Sequence, residues 1–116
     1  MSAHDLLHQS MDKLINKYQF QHGQIDLITL RSIVESQANV SGDGQWMACS
    51  QKEERQYMID NYIKKTLLVT HKEDEEYEEA IDLVCRWMGG GENRRKERII
   101  FMYMLAEHFG RHHHHE

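Results

Sequence analysis

Five cations gather around a run of three glycines in RWMGGGENRRKER, residues 86–98: Arg86, Arg94, Arg95, Lys96 and Arg98. Side chains this dense in positive charge attract anions. A glycine loop can also cradle phosphate with backbone N–H donors, but in nucleotide folds that loop follows a strand. Here the preceding residues have helical periodicity, and neither GxxxxGK[ST] nor GxGxxG is present. A plainer account has Gly89 or Gly90 as the left-handed cap of one helix and Asn93 as the N-cap of the next. Arg94, Arg95 and Lys96 then sit where the helix dipole is already positive, with Glu92 and Glu97 as the only acidic neighbours in sequence. The reading is an anion-attracting patch for an acidic partner, set against a solvated face.

Other residues offer different chemistry. Cys49 stands just before a helix start, a place that favours thiolate, while Cys85 falls within a helix and reads as core. Neither belongs to a CxxC, so structural thiols are weighed against a redox or nucleophilic Cys49. His4 and His8 are one helical turn apart, with Asp12 a turn further, but no closed metal-ligand set accompanies them. His112–His115 can bind nickel or zinc as any adjacent imidazoles can, whether they are a natural tail or a purification-tag remnant. NVSGDGQWMACS has a faint calcium-loop look, yet Asp43 is its only carboxylate, too few for a calcium site. EDEEYEE, residues 73–79, reads as a solvated helix start rather than paired acid–base groups. No metal or cofactor is expected.

These residues need elements to hold them, and the hydrophobic spacing supplies helices. Leu7, Met11, Leu14 and Tyr18 predict a helix over about 3–19, interrupted at Gly23. Leu27, Leu30, Val34 and Ala38 predict a second from about Asp26, followed by a loop from Asn39 to Ala48 that contains Trp46. SQKE at 50–53 has a capping-box pattern that would open a third helix, carrying Met58, Ile59, Tyr62 and Ile63 to about Leu67. A fourth spans Asp74 to Met88 and buries Tyr77, Ile81, Val84 and either Trp87 or Met88. A fifth, about 93–109, stops at Gly110; Ile99 to Ala106 is apolar on every side, which makes this helix central. No β-type alternation appears. The fold class is all-α: one compact domain of about five helices over 1–110, with a flexible histidine-rich tail at 111–116.

Composition agrees. The 116 residues contain no proline, which suits a helical chain, and their formal charge is −5, which argues against gripping nucleic-acid backbone. The longest apolar run, Ile99–Ala106, is too short for a membrane span, and the amino terminus lacks a signal-peptide pattern. Two cysteines are too few for a disulfide framework, so a reduced, cytoplasmic protein is the default.

CSQKEE at 49–54, NYIKKTL at 61–67, AIDLVCRWMGG at 80–90 and FMYMLAEHFG at 101–110 together resemble the DUF2853 family, small bacterial proteins catalogued only by a domain of unknown function. The likeness covers residues 49–110 firmly and 24–48 more loosely. It implies a compact helical domain and brings no activity and no catalytic residue. Trp46 and the histidine tail depart from the family pattern, so a role for either is not inherited. The expected function is a non-enzymatic module that binds another macromolecule through Arg86, Arg94, Arg95, Lys96 and Arg98, with Trp46 as a second contact. The competing readings are a thiol protein using Cys49 and a metal-binding protein using the terminal histidines.

Overall fold

A computed structural model describes residues 2–37, 46–89 and 96–110. Among the described residues the chain forms five α-helices and one two-stranded antiparallel ribbon: α1 (Ala3–Asn16), α2 (Leu27–Gln37), β1 (Trp46–Met47), α3 (Lys52–Tyr57), α4 (Asp74–Met88), β2 (Lys96–Glu97) and α5 (Arg98–His108). A short 3-10 turn, His22–Gln24, precedes α2, and α3 runs on into a π-helical segment, Met58–Ile63. None of these helices is long and apolar enough to cross a membrane.

The central position expected for the last helix is what the structure has. Every residue from Ile100 to Ala106 is buried, including the full circumference of nearly two turns. A helix without a polar face must be covered on all sides. Leu14 of α1, Leu30, Ile33 and Val34 of α2, Ile59 and Ile63 of the π segment, and Tyr77, Ile81, Val84 and Met88 of α4 belong to the same apolar cluster. Two tyrosine hydroxyls fix the covering elements in register. Tyr62 donates to the Met102 carbonyl at 2.9 Å, and Tyr103 accepts the Asp26 N–H at 2.9 Å, tying α5 to the start of α2. A third, Tyr77, donates to the Val69 carbonyl at 2.8 Å and pins the turn that leads into α4.

Helix ends account for most differences from the sequence reading. The first helix stops at Asn16 rather than near 19, because Gln19 takes a left-handed backbone (φ 60°) and the Phe20 N–H turns back to the Leu14 carbonyl at 2.8 Å. Gly23 is not the breaker. The Ser50–Glu53 capping box does not form. Gln51 occupies the N-cap, and the Glu54 carboxylate accepts the Ala48 N–H at 2.9 Å instead. Caps that do form are Ser2, accepting from the Asp5 N–H at 3.2 Å, and Asp26, accepting from the Thr29 N–H at 3.1 Å.

The last helix begins at Arg98, not near Asn93, since Lys96 and Glu97 are extended and pair with Met47 and Trp46. That ribbon joins the expected 39–48 loop to the segment before α5. Gly89 ends α4 with φ 78° and Gly110 follows α5 with φ 64°, conformations that suit glycine. Gly90, Gly91 and Asn93 lie outside the described residues, as do the calcium-like Asp43 and Gly44.

Two outcomes follow. Phe101→Ala should lower unfolding free energy by about 3–5 kcal/mol, the cost of emptying a fully buried aromatic site, whereas Ile28→Ala on the exposed side of α2 should change it by less than about 0.5 kcal/mol. Urea melts compare them directly. The second concerns alkali. Burial holds the Tyr62 phenol well above the ordinary tyrosine pKa. Above about pH 10 the unfolded chain therefore ionises while the folded one stays neutral, and the stabilisation present below that pH is lost as pH rises. Tyr62→Phe should cost about 0.5–1.5 kcal/mol at neutral pH, the loss of one buried hydrogen bond to a carbonyl that keeps its helical partner, and should flatten the alkaline decline.

Candidate functional site

The cysteines overturn one expectation. Cys49 and Cys85 are both buried and joined as a disulfide, with Cα atoms 6.3 Å apart. Among the described residues neither thiol is free. Cys49 is therefore not a reactive thiol, and the reading of two reduced structural thiols is corrected as well. The physical reason is tertiary. The turn before α3 packs on the carboxyl-terminal half of α4, and this brings together two residues that spacing alone could not pair.

Arg55 of α3 closes the same junction. Its Nη1 donates to the Cys49 carbonyl at 3.0 Å, its Nε to Glu78 at 2.8 Å and its Nη2 to Asp82 at 2.6 Å. Burial opposes the charge, but the hydrogen bonds and negative charge of Asp82 and Glu78 outweigh it, and the pKa is raised above the usual guanidinium value. Disulfide and guanidinium together fix the inner side of α4.

That leaves its outer side. Tyr77, Ile81, Val84 and Met88 run along one stripe at i, i+4, i+7 and i+11 and face the core. Of the two alternatives at the helix end, Met88 is buried and Trp87 is not: the indole is 47% exposed. It is nevertheless held. Phe20 stacks on it at 5.9 Å with 27° between the planes, and Phe20 in turn meets Tyr103 edge-on at 6.1 Å. Leu83, one turn earlier, is also exposed, and Arg86 lies beside them. Leu83 and Arg86 share a cleft of about 550 Å³ with Glu76, Glu79, His108 and Phe109. His108 thus stands by the acidic start of α4, as the antiparallel arrangement of the last two helices requires. Extending the 4–3–4 spacing of the core stripe to Met88 was the signal that could have placed Trp87 outside.

The basic cluster is only partly assembled. Arg86 is exposed. Lys96 is 3% exposed, so it is not a surface anion contact; its place in the ribbon opposite buried Met47 draws it inward. Arg98 is mostly covered, with Nη2 3.6 Å from Glu54 and the guanidinium over the Tyr57 ring at 5.8 Å. Arg94 and Arg95 lie outside the described residues, and so do His112–His115. Trp46 is part-exposed on β1, opposite Glu97, so the ribbon brings it beside the basic segment. His4 and His8 pack edge-on at 4.4 Å on the surface of α1. No three histidine, cysteine or carboxylate side chains among the described residues converge as a metal site.

The family model described as Protein of unknown function (DUF2853) matches residues 7–113. The chain belongs to the DUF2853 family. The match takes in most of α1, which lies before the residues that carried the resemblance in sequence. No curated protein matches the chain.

For this DUF2853 protein the clasp is the part of the site most open to test. The paired cysteines are 36 residues apart, so breaking the bond should cost about 4 kcal/mol through loop entropy in the unfolded chain. Urea melts with and without reductant should differ by that amount. Thiol titration of the unreduced, unfolded protein should find no reactive cysteine, and two reactive thiols would refute the bond.

Proposed function

We propose that this protein is a non-enzymatic interaction module that grips a protein partner through the outer face of α4, with Trp87 and Arg86 as anchors. The carrying observation is Trp87: a half-exposed indole already stacked on Phe20. A free surface tryptophan loses rotamer freedom when it is captured, and a pre-stacked one loses less. Tryptophan and arginine are the residue types that carry most binding energy at protein interfaces. Leu83 widens the apolar part, and Arg86 at the edge calls for a carboxylate on the partner.

Among the described residues, this narrows the basic surface expected from sequence to Arg86, the member that is exposed. Trp46 is the second contact in the reading, and Arg94 and Arg95, which precede β2 in sequence, remain part of it. A bacterial setting belongs to the same proposal, but the Cys49–Cys85 bond argues against the reduced cytoplasm expected from sequence, because such bonds persist chiefly in oxidising compartments.

The test is affinity capture from the native host with wild type, Trp87→Ala and Arg86→Glu, followed by calorimetry on the purified partner. Trp87→Ala should weaken binding by roughly 30-fold or more, a loss of at least about 2 kcal/mol. Arg86→Glu should slow association and flatten its salt dependence. Undiminished binding by Trp87→Ala, with loss in Trp46→Ala, would move the site from α4 to the ribbon.

A further inference from the structure

The exposed side of α4 has an order of residue types that packing inside one chain does not require. Glu79, Leu83 and Arg86 fall at i, i+4 and i+7, which sets an acid, an apolar residue and a base in line on one face. Trp87 stands beside the base. All four residues are exposed. At about 1.5 Å of rise per residue, the two charges stand about 10 Å apart along the axis, with Leu83 near the midpoint.

The neighbouring carboxylates on the same helix have partners. Glu78 and Asp82 hold Arg55, and Glu76 meets Lys72 at 3.6 Å. Among the described residues, Glu79 and Arg86 enter no ion pair. Nor is the surface around them flat. Glu79, Leu83 and Arg86 all line the cleft of about 550 Å³, to which the turn before α4 contributes Val69 and the end of α5 contributes Phe109. The helix therefore carries an exposed indole near its carboxyl end and a hollow, with an unpaired acid at its edge, two turns earlier.

This order is its own complement. Consider a second copy turned end for end about a two-fold axis through Leu83. Each Glu79 then faces Arg86 of the other copy, and Leu83 meets its own image. Each Trp87 comes over the other copy's cleft at the Glu79 end. The two helix dipoles run in opposite directions, which favours the pairing. A parallel pairing would instead set Glu79 against Glu79 and Arg86 against Arg86, and like charges face to face are costly. Two-fold, isologous contact is also the commonest way in which soluble chains associate with themselves.

Resting on the reading of α4 as the contact surface, we infer that its partner is a second copy of this chain, docked antiparallel about Leu83. The carboxylate that Arg86 calls for is Glu79 of the second copy. One helix and its flanking turns make a small interface, below about 1,200 Å², so the dimer is weak and reversible.

Sedimentation equilibrium on the full chain, from about 1 μM to about 1 mM and with a metal chelator present, measures the association. Wild type should pass from monomer towards dimer within that range. Glu79→Arg and Arg86→Glu each turn two attractive contacts into two repulsive ones, and each alone should weaken the dimer at least about tenfold. Mixed in equal amounts, the two variants should regain a dimer as tight as wild type, because every charge across the axis again meets its opposite. A folding defect cannot produce that rescue, and melting curves check each variant by itself. Wild type that stays monomeric to about 1 mM overturns the inference. So does a dimer that ignores both substitutions, or a mixture that associates no better than its parts. Failure of the underlying reading has a different signature. A monomeric wild type whose capture from the host still depends on Trp87 leaves the face to another protein and removes the second copy alone. A dimer and a capture that are both indifferent to Trp87→Ala remove the face itself.

Discussion

The constraint on which this structure depends is a helix with no outside. From Ile100 to Ala106 α5 offers apolar atoms in every direction, and burying them requires neighbours on every side. Burial of large side chains at about 25 cal/mol per Å² is the dominant favourable term in a domain of this size. The remaining elements can be understood as a wall around that helix. α1, α2 and α4 each contribute one apolar stripe, and the π segment fills the remaining flank. Since apolar contact alone leaves helices free to slide, the tyrosine hydroxyls at 62 and 103 matter beyond their modest energy: each fits only one register.

A wall with one committed face leaves the other face of each helix available, and the structure uses that freedom unevenly. α1 presents a mixed polar surface with His4 and His8. α4 is fastened on its inner side by Cys85 and, through Glu78 and Asp82, by Arg55. Its outer side is then a rigid platform, and the large residues there, Leu83 and Trp87, are not needed for the core. Arg98 shows the opposite economy. It stands at the first turn of the central helix, where a charge is awkward to bury, and its guanidinium is neither fully paired nor fully exposed.

Much of this was legible in the residues. The α4 boundaries, Asp74 and Met88, follow from an acidic start, a clean apolar stripe and a glycine stop, all local signals. The burial of α5 follows from the lack of any polar residue between Ile99 and Ala106. What stayed hidden was set by contacts distant in sequence or by backbone states without a residue signature. Gln19 and Leu68 adopt left-handed conformations that glycine or asparagine would have announced. The 46–47 and 96–97 ribbon is two residues per strand, too short for alternation to register. Cys49 and Cys85 carry no mark of their pairing. At the candidate site, Arg86 could be placed on the surface from periodicity, but Lys96 could not be known as buried without the ribbon. The cleft beside α4 gathers side chains from three separate segments, none of which forms a motif.

The claim that all else is arranged around α5 is tested most directly by native-state hydrogen exchange, amide by amide, with the disulfide intact. The amides of Met102 to Ala106 should be the slowest in the protein, exchanging only through global unfolding, with an opening free energy equal to that from urea melts. The outer turns of α1 and α4 should open at lower cost. Exchange of the α5 amides through a partial opening, while α2 or α4 remained protected, would contradict the account and make another helix the organising one.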